Sequence, residues 1–246
     1  MGTSIALAAE RAGFENVSCV NADLVVIAVP VRALPEVVSA VLASTLESCT
    51  VTDVGSTTAS VCAAAGHSLR FVGGHPMCGG EKPSAALFDG ATWFLTPTAC
   101  TESDHIDVMH DFVTALGAAP VTIDPHAHDR LVALTSHLPH ALANLLAIQA
   151  GDAGQGAGPS LRDMTRVAGA NPSVWVDIFL DNRDALRHVL AAHRQAAEQL
   201  EAMLEAADGQ ALEAWIDDAA ANRERVYARP PSSGSPAAIH SSLPPG

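Results

Sequence analysis

The sequence predicts an α/β chain in which an incomplete doubly wound parallel sheet is followed by an all-α domain. Two observations carry this prediction. Over the first half of the chain, short apolar runs alternate with segments of helical spacing, which is typical of parallel strands joined by helices. After residue 125 the strand signals stop and long amphipathic segments follow. We therefore expect an α/β part at 1–124, a helical part at 125–228 and a tail at 229–246.

Five apolar runs predict the strands, because each is short and most end at proline, glycine or a polar turn residue. They lie at 22–30, 49–56, 70–76, 91–98 and 119–124. Between them, Ala-, Leu- and Val-rich segments have the spacing of helices. These segments are 2–13, 32–46, 57–66 and 105–118.

The second half predicts helices only, at 127–151, 159–169, 171–208 and 209–228. Their apolar stripes are larger than one small domain buries, so we expect a dimer interface in this part. The tail at 229–246 is rich in Pro, Ser and Gly and is expected to be disordered.

Composition excludes several classes of protein. The 246 residues carry a net charge of −14 with a pI near 5.0, which argues against nucleic acid or an anionic membrane as the partner. Five cysteines without a C-x-x-C pair predict neither a disulfide framework nor a zinc site, and indicate a reducing, cytoplasmic location. No H-E-x-x-H occurs, and His126-Ala-His128 is assigned to a polar loop, so we expect no metal. No apolar run reaches the roughly 20 residues of a membrane span.

Three predicted strands end in marked residues, at 28–31, 52–56 and 73–82. Ligands of doubly wound sheets bind beyond the carboxyl ends of the strands, so these ends should open onto one crevice. His75 is the acid–base candidate, since an unperturbed imidazole exchanges protons near neutral pH. Ser56 could fix its tautomer through a hydrogen bond. The alternatives are a solvated loop histidine and a serine that only caps a helix.

The helical part offers two pairs of candidates. His137 and His140 are three residues apart, on one face of a helical turn, where they could line a pocket or be buried core residues. Arg162 and Arg166 are four apart and could bind carboxylates through their guanidinium forks. The alternative is a solvated helix face on which Asp163 is their partner. Trp175, in an apolar context, is by default a core residue.

Six segments occur in a characteristic order between residues 2 and 225: ADLVVIAVPV, TDVGS, GGHPMCGGEKPS, LFDGATWFLTP, HDRLVALTSHLPHALA and LRDMTRVAGANPSVWVDIFLDN. Together they resemble the prephenate/arogenate dehydrogenases of tyrosine biosynthesis. The resemblance implies a Rossmann-like dinucleotide-binding domain, here truncated, at 1–124, and a helical substrate and dimerisation domain at 125–228. It also implies NAD or NADP as cofactor and a cytoplasmic homodimer.

The resemblance implies NAD(P)-dependent oxidative decarboxylation of prephenate to 4-hydroxyphenylpyruvate, or of arogenate to tyrosine. The catalytic residues would be His75, which draws on the substrate hydroxyl proton, and Ser56, its partner. The substrate-binding residues would be Glu81, His137, His140, Arg162, Arg166 and Trp175. The cofactor-binding residues would be Gly2, Thr3, Ser4, Ala28, Val29, Pro30 and Ser56.

The family's fingerprint is a strand followed by G-x-G-x-x-G, and only Gly2 matches its last glycine. We therefore expect an N-terminally incomplete member with impaired cofactor binding, an exposed sheet edge, and a strand remnant at 14–20. The alternative function is a catalytically impaired relative that binds prephenate- or tyrosine-like ligands as a dimeric binding protein. A β-hydroxyacid dehydrogenase is disfavoured, because the SHLPH and RDMTR segments have no place in that pattern. The choices between prephenate and arogenate, and between NAD and NADP, stay open.

Overall fold

The predicted sheet is present with all five strands, in a computed structural model that describes residues 1–80, 82–152 and 154–228. The strands are β1 (Leu24–Ile27), β2 (Thr50–Asp53), β3 (Phe71–Pro76), β4 (Thr92–Pro97) and β5 (Ala119–Thr122). They lie side by side in chain order. As expected, β1 is an edge strand.

Two strand directions meet within the sheet. β1, β2 and β3 are parallel, β4 runs antiparallel to β3, and β5 is parallel to β4. The carboxyl ends of β1 to β3 therefore lie at the same edge of the sheet as the amino end of β4. In this register His75 of β3 is paired with Phe94 of β4, so the predicted base lies at the edge where a ligand is expected.

Helices cover both faces of the sheet, which confirms the doubly wound prediction. They are α1 (Gly2–Arg11), α2 (Leu34–Ser44), α3 (Ala59–Ala65) and α4 (Ser103–Ala115). On one face, Ile5 of α1 and Met109 of α4 join the core around Trp93 and Leu95. On the other face, residues of α2 and α3 pack around Val51 and Phe71.

After β5 the described chain is helical, as predicted. The helices are α5 (Pro125–Val132), α6 (Leu138–Ala150), α7 (Pro159–Thr165), α8 (Pro172–Asp181), α9 (Arg183–Glu205) and α10 (Gly209–Tyr227). A single π-helical turn, Ala133–His137, joins α5 to α6. The predicted helix 171–208 is interrupted at Asn182, so α8 and α9 are separate helices.

Two local predictions were wrong. Residues 14–20 form no strand; this part of the described chain is exposed and leads into a 3-10 turn at Cys19–Asn21. The His126-Ala-His128 segment lies on α5 and not in a loop. The reason is a strong helix start: the Asp124 side chain accepts a hydrogen bond from the Ala127 amide, and Pro125 occupies the first turn.

The chain divides into two compact units, one of residues Met1–Leu186 and one that begins at Arg187. The division lies within α9, and the predicted domain boundary at 124/125 stays a prediction. By length and composition, the helical run Pro125–Ala150 could cross a membrane, but a core helix of a soluble protein passes the same test. The predicted tail, 229–246, lies outside the described residues.

Candidate functional site

A buried carboxylate joins the ends of β2 and β3. Asp53 accepts hydrogen bonds from the amide of Gly55 at 2.8 Å and from the amide of Gly74 at 3.2 Å. A Cβ at Gly74 would lie 2.6 Å from the Asp53 carbonyl oxygen, so glycine is required for this close approach. Burial raises the pKa of Asp53 to about 7, against the lowering effect of the two amides. The arrangement fixes the backbone directly before His75.

The predicted base, His75, is half-buried and is held by a second histidine. Its Nδ1 lies 2.9 Å from Nε2 of His128, and the two rings meet edge to face. Burial lowers the pKa of His75 to about 3, and the neighbouring His128 and His137 act in the same direction. Within the described residues, Nε2 of His75 has no hydrogen-bond partner. That nitrogen is therefore available to a ligand.

His128 is fully buried and its other nitrogen is bound to a carboxylate. Nδ1 of His128 lies 2.9 Å from Oδ1 of Asp129. Asp129 also accepts hydrogen bonds from the amides of Thr58 at 2.9 Å and Ala59 at 3.0 Å, at the start of α3. Burial would raise the pKa of Asp129, but the hydrogen bonds from His128 and the two amides outweigh it, and the net shift is downward. Asp129 is therefore a carboxylate at neutral pH.

Ser56 lies near the expected position but does not make the expected hydrogen bond. Ser56 is partly buried at the turn after β2, but no hydrogen bond joins it to His75 among the described residues. His128 holds the Nδ1 atom of His75 instead. The expectation that Ser56 fixes the tautomer of His75 is therefore wrong for this structure, because His128 of α5 occupies the hydrogen-bonding position at Nδ1 of His75. Ser56 and His75 still lie at the same edge of the sheet.

Asn182, at the break between α8 and α9, connects the sheet side of the site to the helical side. Its amide nitrogen donates to the backbone carbonyl of Asp129 at 2.7 Å and lies 3.3 Å from Nδ1 of His137. Both Asn182 and His137 are buried. Burial lowers the pKa of His137 to about 4, so this ring is neutral near pH 7. A continuous set of contacts thus runs from His75 to His137.

The second predicted histidine, His140, is stacked on Trp175. The two rings are parallel, with centroids 3.5 Å apart, and His137 meets the same indole edge-on at 6.2 Å. Trp175 is half-buried and is therefore not the core residue that its context suggested. Nδ1 of His140 is buried and has no hydrogen-bond partner among the described residues. A buried polar atom of this kind needs a partner, which a ligand can supply.

The two predicted arginines differ from the histidines. Arg162 lies on α7, and Arg166 opens the 3-10 turn Arg166–Gly169 that packs against α6. Both are exposed, and within the described residues neither forms an ion pair or hydrogen bond, including with Asp163. The alternative that Asp163 neutralises them therefore does not hold here, and both charges are free to meet an anion.

The predicted cofactor residues lie where α1 approaches the end of β1. α1 begins at Gly2, and its first amides have no side-chain cap. A Cβ at Gly2 would lie 3.2 Å from Cβ of Ala28, so glycine permits this close approach. Exposed residues follow β1 at this point, namely Ala28, Val29 and Pro30. Free amides at a helix start together with an exposed apolar surface fit the pyrophosphate and the flat rings of a dinucleotide.

The two polar side chains in the first turn of α1 differ in exposure. Thr3 is exposed, whereas Ser4 is buried and its hydroxyl accepts a hydrogen bond from the Ser84 amide at 3.2 Å. The Ser4 side chain therefore holds the segment after residue 81 and does not face the crevice. Glu81, predicted to bind substrate, lies outside the described residues. No group of three or more His, Cys, Asp or Glu is placed to hold a metal ion within the described ranges.

Sequence reasoning missed three residues that the structure brings to this site: His128, Asp129 and Asn182. A signal existed for the first two, because Asp124-Pro125 predicts a helix start that would place them on its buried face. Asn182 lies inside an amphipathic run, and nothing in its local sequence indicates a contact with α5.

Comparisons with known proteins identify the same family in both halves of the chain. A model of the prephenate dehydrogenase nucleotide-binding domain matches residues 3–122, and a model of the prephenate dehydrogenase dimerization domain matches residues 124–218. A cyclohexadienyl dehydrogenase of Zymomonas mobilis is 33% identical over 208 residues, which is 78% of this chain and 71% of that protein. A prephenate dehydrogenase of Bacillus subtilis is 32% identical over 183 residues, 68% of this chain and 49% of that protein.

Solved structures confirm the predicted fold. The prephenate dehydrogenase of Aquifex aeolicus in complex with hydroxyphenyl propionate and NAD+ has a TM-score of 0.81 at 24% identity, covering 92% of this chain and 94% of that one. A Synechocystis arogenate dehydrogenase has a TM-score of 0.77 at 23% identity, with 92% and 88% covered. An α/β domain with a doubly wound sheet and a helical domain are thus shared with both structures.

Proposed function

Because the chain belongs to the prephenate dehydrogenase family, we propose that it catalyses the NAD(P)-dependent oxidative decarboxylation of prephenate or arogenate. The products are 4-hydroxyphenylpyruvate or tyrosine. Family membership confirms the resemblance found in the sequence. It supports the enzyme and not the alternative of a non-catalytic binding protein.

One observation carries the proposal for the site: His75 is held through Nδ1 while its Nε2 has no partner among the described residues. A neutral imidazole whose free nitrogen faces a bound alcohol acts as a general base. In this reaction the proton of the ring hydroxyl moves to Nε2 of His75. The lowered pKa of His75, about 3, keeps the ring neutral, so that the lone pair of Nε2 is free to accept a hydrogen bond from that hydroxyl.

The chain's own residues supply binding and orientation. Arg166, exposed and unpaired among the described residues, would bind a substrate carboxylate, with Arg162 as the weaker candidate. His137, His140 and Trp175 would form the wall beside the ring, with Nδ1 of His140 offering a hydrogen bond. Glu81, outside the described residues, stays a candidate for substrate binding by family resemblance alone.

The residues around Gly2 and Ala28 would hold the pyrophosphate and nicotinamide half of NAD or NADP, with Ser56 beside them. When bound there, the oxidised nicotinamide would supply the hydride acceptor for the carbon that carries the hydroxyl. The bond to the ring carboxylate then breaks, CO₂ leaves, and its electron pair completes the aromatic ring. Aromatisation drives the reaction, so the protein mainly positions the ring and removes one proton.

A homodimer is proposed for the helical part. The match of residues 124–218 to a dimerization domain supports it, as do exposed apolar side chains on its helices. These include Val174, Val176 and Leu180 on α8, and Trp215 and Ile216 on α10. A cytoplasmic location is also proposed, supported by five cysteines that are all free thiols.

The function is tested with purified protein, prephenate or arogenate, and NAD⁺ or NADP⁺, by following the absorbance of the reduced nicotinamide. We expect turnover with at least one of the four combinations. If none turns over while prephenate still raises the melting temperature, the binding protein replaces the enzyme as the better hypothesis.

A further inference from the structure

Behind His75, two buried side chains form a chain of hydrogen bonds that the proposed reaction does not by itself require. His128 is 2.9 Å from His75 on one side and 2.9 Å from Asp129 on the other. His128 is fully buried and Asp129 nearly so. The spacing of both contacts is that of ordinary, well-formed hydrogen bonds, and the three groups lie in series.

The protonation state of this series follows from its buried end. Asp129 is a carboxylate, so it accepts only, and Nδ1 of neutral His128 must carry the proton between them. Nε2 of His128 is then an acceptor, and the proton shared with His75 belongs to Nδ1 of His75. Neutral His75 therefore carries no proton on Nε2. This is the tautomer that a base acting through Nε2 needs.

We propose that His128 and Asp129 are positioning residues for His75, and that His128 takes up the positive charge when His75 accepts the substrate proton. The inference deepens the proposed function and rests on it for its kinetic test. Three residues act in line, from the sheet edge into the interior of the protein.

The proton movements balance. The hydroxyl proton of the substrate forms a bond to Nε2 of His75, and the Nδ1–H bond of His75 breaks as that proton passes to Nε2 of His128. The charge then rests on His128 as an imidazolium beside the Asp129 carboxylate. His75 is neutral again. The starting tautomer is restored when Nε2 of His75 returns its proton to the phenolate oxygen that decarboxylation leaves on the product, and His128 returns its proton to Nδ1 of His75.

The surroundings explain why the charge should move. An imidazolium at His75 is disfavoured by burial and lies near His128 and His137, which face it from α5 and the turn before α6. At His128 the same charge lies directly beside Asp129, whose second oxygen is held by the Ala59 amide. Asp53, from the end of β2, is a further titratable carboxyl, and its charge interacts with that of Asp129. Opposite charges at contact distance favour the ionised pair.

Three variants separate positioning from charge uptake. In His128→Gln, the side-chain carbonyl oxygen can still accept the proton at Nδ1 of His75 but cannot become charged. In His128→Phe, neither function remains. His126→Gln is the matched control, because His126 is an exposed histidine on the same helix. We expect kcat to fall about tenfold to 10²-fold in His128→Gln and about 10²- to 10⁴-fold in His128→Phe. The control should keep its rate.

The pH profile distinguishes a relay from a merely structural role. In the unmodified protein, the acidic limb of kcat/KM belongs to the His75–His128–Asp129 series as a unit, because a proton added to the series displaces His75 from the tautomer that the reaction needs. In His128→Gln that limb depends on His75 alone and should move to lower pH. An unmoved limb with a uniformly lower rate, or an unchanged rate, would overturn the proposal. Melting temperatures check that each variant is folded.

A spectroscopic test does not depend on turnover. Two-dimensional ¹⁵N–¹H spectra of the imidazole rings report which nitrogen carries the proton, and His128→Gln and His75→Asn assign the signals. We expect the Nδ1–H tautomer for both His75 and His128 at neutral pH. Finding His75 with its proton on Nε2 would overturn the relay, whatever the activity. The expected tautomers without turnover would count instead against the proposed function.

Discussion

The histidines at the sheet edge and the arginines near α7 differ in burial and in whether another protein side chain already contacts them. His75, His128 and His137 are buried or half-buried, and each is held by a hydrogen bond to another side chain. Arg162 and Arg166 are exposed and, among the described residues, have no partner. The histidines are therefore already held in position without substrate, whereas the arginines would gain their partner only from a bound substrate.

The difference follows from what each task requires. A base must present one nitrogen in one protonation state, and burial with fixed partners provides this at the expense of a lowered pKa. A guanidinium is charged at every physiological pH, so it needs no protein partner to keep its charge. It would lose affinity for the substrate if a protein carboxylate already occupied it. Substitutions in the two regions should therefore change different kinetic parameters.

Removing the base should have the largest effect. His75→Asn should lower kcat by about 10²- to 10⁴-fold, the usual contribution of general acid–base catalysis, with KM nearly unchanged. Steady-state kinetics of the reduced nicotinamide measure it, with the exposed His126→Asn as control. Near-full activity of His75→Asn would remove the buried region from the chemistry.

The arginines should affect binding and not the chemical step. Arg166→Ala should raise KM about 10- to 100-fold with a small change in kcat, because a charge-assisted bidentate contact to a carboxylate is lost. Arg162→Ala, four residues earlier, is the matched comparison and should change KM less. A larger effect at Arg162 would transfer the carboxylate contact to that residue.

The bridge between the two sides should matter for stability. Asn182→Ala leaves the Asp129 carbonyl and Nδ1 of His137 without their shared donor, which should cost about 1–3 kcal/mol of unfolding free energy. Urea denaturation measures this cost. Asn16→Ala, at an exposed hydrogen bond to Glu10, is the control and should stay within about 0.5 kcal/mol. Equal losses of unfolding free energy in Asn182→Ala and Asn16→Ala would mean that the buried Asn182 contacts stabilise the fold no more than an exposed hydrogen bond does.

The buried histidines should also set a pH dependence of stability. The pKa of His137 is lowered to about 4 in the folded state, against about 6.5 when unfolded. The unfolded chain therefore binds more protons in this window, and stability falls as pH drops from about 6.5 to 4. His75 acts in the same direction, and Asp53, with its raised pKa, opposes them.

His137→Gln should flatten this acid-side slope by up to about 1.4 kcal/mol per pH unit. Denaturation curves at several pH values measure the slope, with His126→Gln as the exposed control. A slope that is unchanged in His137→Gln would mean that this ring is protonated in the folded protein.

The strands were predictable because each is a short apolar run buried against helices, and that signal is local. His75, His137, His140 and the two arginines were chosen as site residues because their spacing and order are local as well, and their assignment to the site stays a prediction. The hydrogen-bond partner of His75 could not be predicted from local sequence. Ser56 is the nearer candidate in sequence, whereas His128 reaches His75 from a helix 53 residues further along the chain. Only the packing of α5 against the sheet decides between them.

The sequence by itself determined the alternation of strands and helices, the family, and the chemical types of residue at the crevice, because these depend on periodicity, composition and motif order. The tertiary structure alone decided which side chain contacts Nδ1 of His75, the break at Asn182, and the stacking of His140 on Trp175. The physical reason is that hydrogen bonds and ring contacts act over a few ångströms in space, between residues that are far apart in the chain.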